Sequence, residues 1–143
     1  MTRSDLASIP GNWRLINREE VLDMAMGDVE FLAEMIELFL SYVPRQMNDI
    51  KQAIEENDSQ KLSDAAHACK GTISNYTKLE PFHLLQSLEN DGKSEQIQET
   101  RIKFHLLEKE ISLLSAELKM LMVQECGHSP SAEHAGSTQR QSL

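Results

Sequence analysis

Apolar residues return every three or four positions along most of this chain, the spacing of helices that each bury one face. From Val29 onward Leu32, Ile36, Phe39, Val43, Met47, Ile50 and Ile54 hold that spacing for about seven turns. Pro44 stands inside the run, and the loss of a backbone hydrogen bond there predicts a kink or a division near Ser41. After a turn and cap at Asn57-Asp58-Ser59, a second stripe runs through Leu62, Ala65, Ala66, Cys69, Ile73 and Tyr76. A third helix opens at Pro81, a good first-turn residue, and carries Phe82, Leu85 and Leu88. The turn signal Asn90-Asp91-Gly92 is expected to end it. In the last helix Ile97, Phe104, Ile111 and Leu118 recur every seven residues, with Leu107, Leu114 and Leu121 between them. Ahead of all these, Asn17-Arg18-Glu19-Glu20 has capping-box spacing and predicts a short helix to about Met26, closed by Gly27-Asp28. The pattern predicts an all-α fold: an antiparallel four-helix bundle with a short leading N-terminal helix.

The two ends read differently. Residues 1–16 are a mixed lead-in containing Pro10-Gly11, with Trp13, Leu15 and Ile16 able to pack on the body. Beyond Val123 the composition turns to Gly, His, Ser, Pro, Gln and Thr, too polar to bury a core. The expected organisation is therefore a lead-in at 1–16, a bundle at 17–123 and a disordered tail at 124–143.

At 143 residues the chain has room for one domain that can bury a core without disulfides. The formal charge of −9 argues against nucleic acid, which demands a basic face. That charge is unevenly spread. Residues 28–58 are strongly acidic, whereas Lys61, Lys70 and Lys78 leave the segment 59–80 close to neutral. Cys69 and Cys126 lie in unlike settings and do not suggest a disulfide framework, and Cys69 reads as a small buried hydrophobe. No signal-peptide core and no apolar run of membrane-spanning length is present, so a cytoplasmic protein without membrane contact is expected.

His67 is the candidate for chemistry. At about 100° per residue it projects roughly 160° from the middle of its own helix's apolar stripe, among Ser63, Lys70, Gly71 and Ser74. A ring placed there faces water or a partner. Lys70 and Gly71, three and four residues on, fall beside it and bring a cation and a gap in the side-chain surface. An ordinary imidazole is mostly neutral at pH 7 and can act as a nucleophile. The other histidines have plainer settings: His83 near a helix start, His105 beside the Phe104 stripe, His128 and His134 in the tail. Glu80-x-x-His83 is half of a di-iron bundle motif whose second half is absent, so no metal site is assigned.

The segment Ala66-His67-Ala68-Cys69-Lys70-Gly71, followed by Leu88-Glu89-Asn90-Asp91-Gly92, resembles the histidine-containing phosphotransfer (HPt) domain family, whose motif reads Ala-His-x-x-Lys-Gly. The resemblance covers about residues 17–122. Two departures are Thr77-Lys78, where the family often has Gly-Ala, and Glu89, where the family often has a side-chain amide. The resemblance implies a phosphorelay intermediate that shuttles a phosphoryl group on His67 between aspartates of response-regulator receiver domains, with a hybrid sensor kinase as a further partner. It implies a phosphocarrier without kinase activity of its own, binding no cofactor and relying on Mg2+ in the receiver. Lys70 is expected to stabilise the phosphoryl group and Gly71 to leave room for the partner. Glu89, 22 positions past the histidine, is expected to contact the imidazole. Ser63, Asp64, Ala68, Ser74 and Lys78 are expected to form the docking rim of a monomeric carrier. The alternative is a non-catalytic helical adaptor that signals by binding alone, which would have no need of His67 and its neighbours.

Overall fold

The computed structural model describes residues 13–95 and 98–127. Five helices follow one another: α1 Arg18–Met24, α2 Val29–Glu55, α3 Ser59–Ile73, α4 Glu80–Lys93 and α5 Thr100–Cys126. Helices α2 to α5 pack in a closed ring, each against the next along the chain, with α5 closing back on α2; α1 leads into this antiparallel four-helix bundle. Among the described residues no helix is long and apolar enough to cross a membrane.

Local chemistry sets most helix starts. The Asn17 side chain accepts from the Glu20 amide, Asp28 from those of Glu30 and Phe31, and Asp58 from that of Lys61. Positive φ at Met26 and Gly27 turns the chain between α1 and α2. The apolar stripes then meet in one core that includes Leu32, Ile36, Phe39, Leu62, Leu85, Leu88, Leu107, Leu114 and Leu118. Tyr76 anchors the end of the α3 segment: its hydroxyl donates to the Met35 carbonyl at 3.1 Å and its ring meets Phe39 edge-on.

Three expectations need correction. Pro44 does not divide α2, which is continuous over 27 residues. Pro44 is exposed, while Phe39 and Val43 before it and Ile50 after it bury into the same core, so both sides of the proline are held by packing. Gly92 is not a terminal turn residue, for α4 runs on to Lys93 with Gly92 buried inside it. A Cβ at Gly92 would stand 2.6 Å from the Ser63 amide nitrogen and 2.7 Å from the Ser59 carbonyl oxygen. The glycine is there for the closeness of α3 and α4, and not for a turn. Finally, α5 continues past Val123 to Cys126, where Gly127 caps it at φ 82°.

The lead-in also belongs to the body further than its assigned boundary at residue 17. Leu15 and Ile16 are buried, Trp13 packs against the core, and the amides of Arg14, Leu15 and Ile16 all donate to the Glu117 carboxylate on α5. Ile97, residues 1–12 and the tail from 128 lie outside the described residues.

Candidate functional site

The close approach that Gly92 permits brings one face of α4 against the flank of α3 that carries His67. Three turns of the two helices meet there, and at their centre lies Glu89, a carboxylate only 4% exposed. His67 Nδ1 is 3.0 Å from Glu89 Oε2. The Lys70 ammonium is 2.7 Å from Glu89 Oε1, a charge contact without the alignment of a directed hydrogen bond. Lys93, one turn beyond Glu89 on α4, pairs with Oε2 at 3.2 Å. Lys70 is held further by donation to Gln86 Oε1 at 2.7 Å and by the Phe82 ring, whose centroid is 5.9 Å away.

Burial by itself would push the Glu89 carboxyl up. The ammonium groups of Lys70 and Lys93, with the His67 ring, outweigh it and hold the carboxyl below its ordinary value. Glu89 is therefore a buried anion, and an anion can accept a proton-bearing nitrogen from His67. With Nδ1–H donated to Glu89, the other ring nitrogen, Nε2, carries the lone pair. The His67 side chain is 69% exposed although its Nδ1 edge is tethered. An open groove of about 610 Å³ beside it is lined by Gln60, Ser63, Asp64, His67, Glu89 and Lys93.

The predicted residues fall into two groups. His67, Lys70 and Glu89 come together as anticipated, and Gly71 is exposed with open space where a side chain would be. Asp64 and Ala68 are exposed on α3, Ser74 is half-buried at its end, and Lys78 is exposed in the loop that follows. Ser63 is not on a rim: it is 7% exposed, covered by the α4 backbone at Gly92, and forms the floor of the groove. Sequence reasoning missed Lys93 and Gln86. Lys93 had a usable signal, since Glu89 and Lys93 stand in the favourable Glu-to-Lys order at four-residue spacing. Cys69 is fully buried, and burial pushes its thiol up to about 12, which keeps it out of the chemistry. Among the described residues no group of three or more His, Cys, Asp or Glu side chains could hold a metal ion.

Comparison with known proteins bears on the family and the fold. The family model described as the Hpt domain matches residues 34–117, which include every residue of the His67 cluster. Among solved structures, the chain is similar to the crystal structure of histidine-containing phosphotransfer protein B (HptB) from Pseudomonas aeruginosa PAO1, with a TM-score of 0.71. Identity is 16%, over 76% of this chain and 95% of that one, a likeness of fold. No curated protein matches the chain.

Proposed function

The chain belongs to the Hpt domain family, and from that premise we propose that it is a phosphorelay intermediate whose His67 accepts a phosphoryl group from a receiver aspartate and passes it to another. The observation that carries this reading is the pairing of an exposed imidazole with a buried anion at its Nδ1. Nε2 attacks the phosphorus of the aspartyl phosphate, the bond from phosphorus to the carboxylate oxygen breaks, and the carboxylate leaves with the electron pair. The ring, now substituted at Nε2 and still carrying Nδ1–H, is cationic, and Glu89 faces that charge from 3.0 Å. The reverse step restores a neutral imidazole.

The new phosphoryl group carries about −1.5 to −2 charge by analogy with other phosphoresidues. Lys70 and Lys93 are the cations nearest to it through Glu89. Lys93 is 64% exposed and free to follow the charge, while Lys70 is fixed by Gln86 and Phe82. Gly71 leaves the surface open on the next turn, so a receiver's backbone can reach the ring. Asp64, Ala68, Ser74 and Lys78 would line the contact. Mg2+ would come with the receiver, and a hybrid sensor kinase would be the natural origin of the phosphate in a cytoplasmic relay.

The test is a transfer screen in which labelled, phosphorylated receiver domains are mixed with the chain. We expect at least one donor to label the wild type with an acid-labile, base-stable phosphate and none to label His67→Gln. Helicity and melting temperature should stay nearly unchanged, because an exposed site costs within about 0.5 kcal/mol. Labelling of the variant by every donor that labels the wild type would refute the assignment.

A further inference from the structure

Lys70 stands one turn on from His67 in α3, yet its ammonium is already engaged on the α4 side. The nitrogen meets Glu89 Oε1 at 2.7 Å, donates to Gln86 Oε1 at 2.7 Å and lies 5.9 Å from the centre of the Phe82 ring. The Lys70 side chain is only 16% exposed, against 64% for Lys93. Gln86 is itself oriented. Its Nε2 donates to Asn90 Oδ1 at 3.2 Å, one turn further along α4, which turns the amide oxygen toward Lys70. His67 and Lys70 reach Glu89 from its two different oxygens, Nδ1 on Oε2 and the ammonium on Oε1. The ring's Nε2 points away from Nδ1 and so away from that carboxylate. Held in this place, Lys70 balances Glu89 and does not lie where a group on Nε2 would extend.

We propose that Gln86 is a positioning residue: by holding Lys70 on Glu89 it withholds that ammonium from the phosphoryl group, and so sets how firmly His67 keeps phosphate against a receiver aspartate. This rests on the phosphocarrier reading above and adds to it a control on the balance of transfer. A phosphoryl group on Nε2 gains Lys70 only as far as it offers the ammonium more than Glu89 and Gln86 already do. The Gln86 contact is a hydrogen bond to a charged group, the stronger kind, and its loss shifts that competition about tenfold. Lys93, at the open end of the cluster, remains the cation free to follow the new charge. The bond changes are those of the transfer itself: the bond from Nε2 to phosphorus forms as the bond from phosphorus to the carboxylate oxygen breaks, and the reverse. Gln86 alters where this exchange comes to rest. A carrier that must pass phosphate on is served by a cation that does not grip it.

The test is the equilibrium of phosphate between the full chain and a receiver domain that labels it, approached from both sides. Gln86→Leu keeps the bulk and removes the acceptor, and should shift the balance about tenfold toward phosphorylated His67. Gln86→Glu keeps an acceptor and adds a charge, and should shift it toward the receiver. In a Lys70→Met background the effect of Gln86→Leu should vanish. Nitrogen NMR of the lysine side chains follows the same contact without phosphate. A slowly exchanging Lys70 ammonium signal should be present in the wild type, lost in Gln86→Leu and kept in Gln86→Glu. A balance that Gln86→Leu leaves unmoved, or moves equally without Lys70, would overturn the proposal. So would a Lys70 signal indifferent to residue 86. A wild type that no receiver labels at His67 would refute the phosphocarrier reading itself, and this proposal with it.

Discussion

Two buried carboxylates, Glu89 and Glu117, separate the proposed phosphotransfer site from a part that holds shape. Both are under a tenth exposed. Glu89 is answered by side chains: two ammonium groups and an imidazole, two of them largely in water. Glu117 is answered by the backbone amides of Arg14, Leu15 and Ile16 at 2.7 to 3.1 Å. Side-chain partners can move when a new charge arrives, whereas amides fixed in a chain segment cannot. The same residue type thus serves as an adjustable counter-ion between α3 and α4 and as a rivet between α5 and the lead-in.

Removing each carboxylate should break the comparison most visibly. Glu117→Ala leaves three amides without their acceptor, two of them buried, and should cost about 3 kcal/mol, which thermal unfolding would register. Phosphoryl uptake at low temperature should be unaffected. Glu89→Gln should cost about 1 kcal/mol, since Lys93 can turn to water and Lys70 keeps Gln86, yet it should slow uptake on the order of tenfold through loss of the tethered ring. If Glu117→Ala impairs uptake and Glu89→Gln does not, the two roles have been assigned the wrong way round.

The two glycines of the site sharpen the same division at smaller cost. Gly92→Ala forces a Cβ against the α3 backbone and should destabilise by about 2 kcal/mol while spreading the Glu89 cluster. Gly71→Gln meets open space and should gain up to about 1 kcal/mol of helix propensity, while obstructing the receiver and cutting transfer. Unfolding curves and transfer rates should therefore move in opposite directions for Gly71→Gln and together for Gly92→Ala.

Acid provides the mildest probe. The Glu89 carboxyl is held below its ordinary 4.5 in the folded chain. Its contribution to stability is thus full above that ordinary value and is lost as the pH falls through the lowered one. The stability gap between wild type and Glu89→Gln, read from urea midpoints, should close over that acidic window. A gap that stays constant with pH would mean the ion pairs contribute nothing.

Much of this was legible beforehand because periodicity reports burial directly. The helix order, the exposure of His67 and the meeting of His67, Lys70 and Glu89 all follow from register and from the HPt motif. What periodicity cannot report is distance between helices. Gly92 read as a turn because glycine commonly ends helices, and Ser63 read as a surface residue from its register beside His67, although α4 covers it at Gly92. Pro44 allowed a kink or a division; the division does not occur, and local propensity ignores the core contacts on both sides of the proline. Glu117 gave no signal at all, since its partners are amides a hundred residues away, which have no side-chain identity to pair with.

In the proposed transfer, Glu89 holds Nδ1–H and so leaves Nε2 of His67 as the nucleophile. Phosphorus–nitrogen correlation by NMR, on chain labelled with 15N in histidine and phosphorylated by a receiver, reads that atom directly. Phosphorus should couple to Nε2 of His67, with a proton retained on Nδ1. Phosphorus on Nδ1, or on any other histidine, would contradict it.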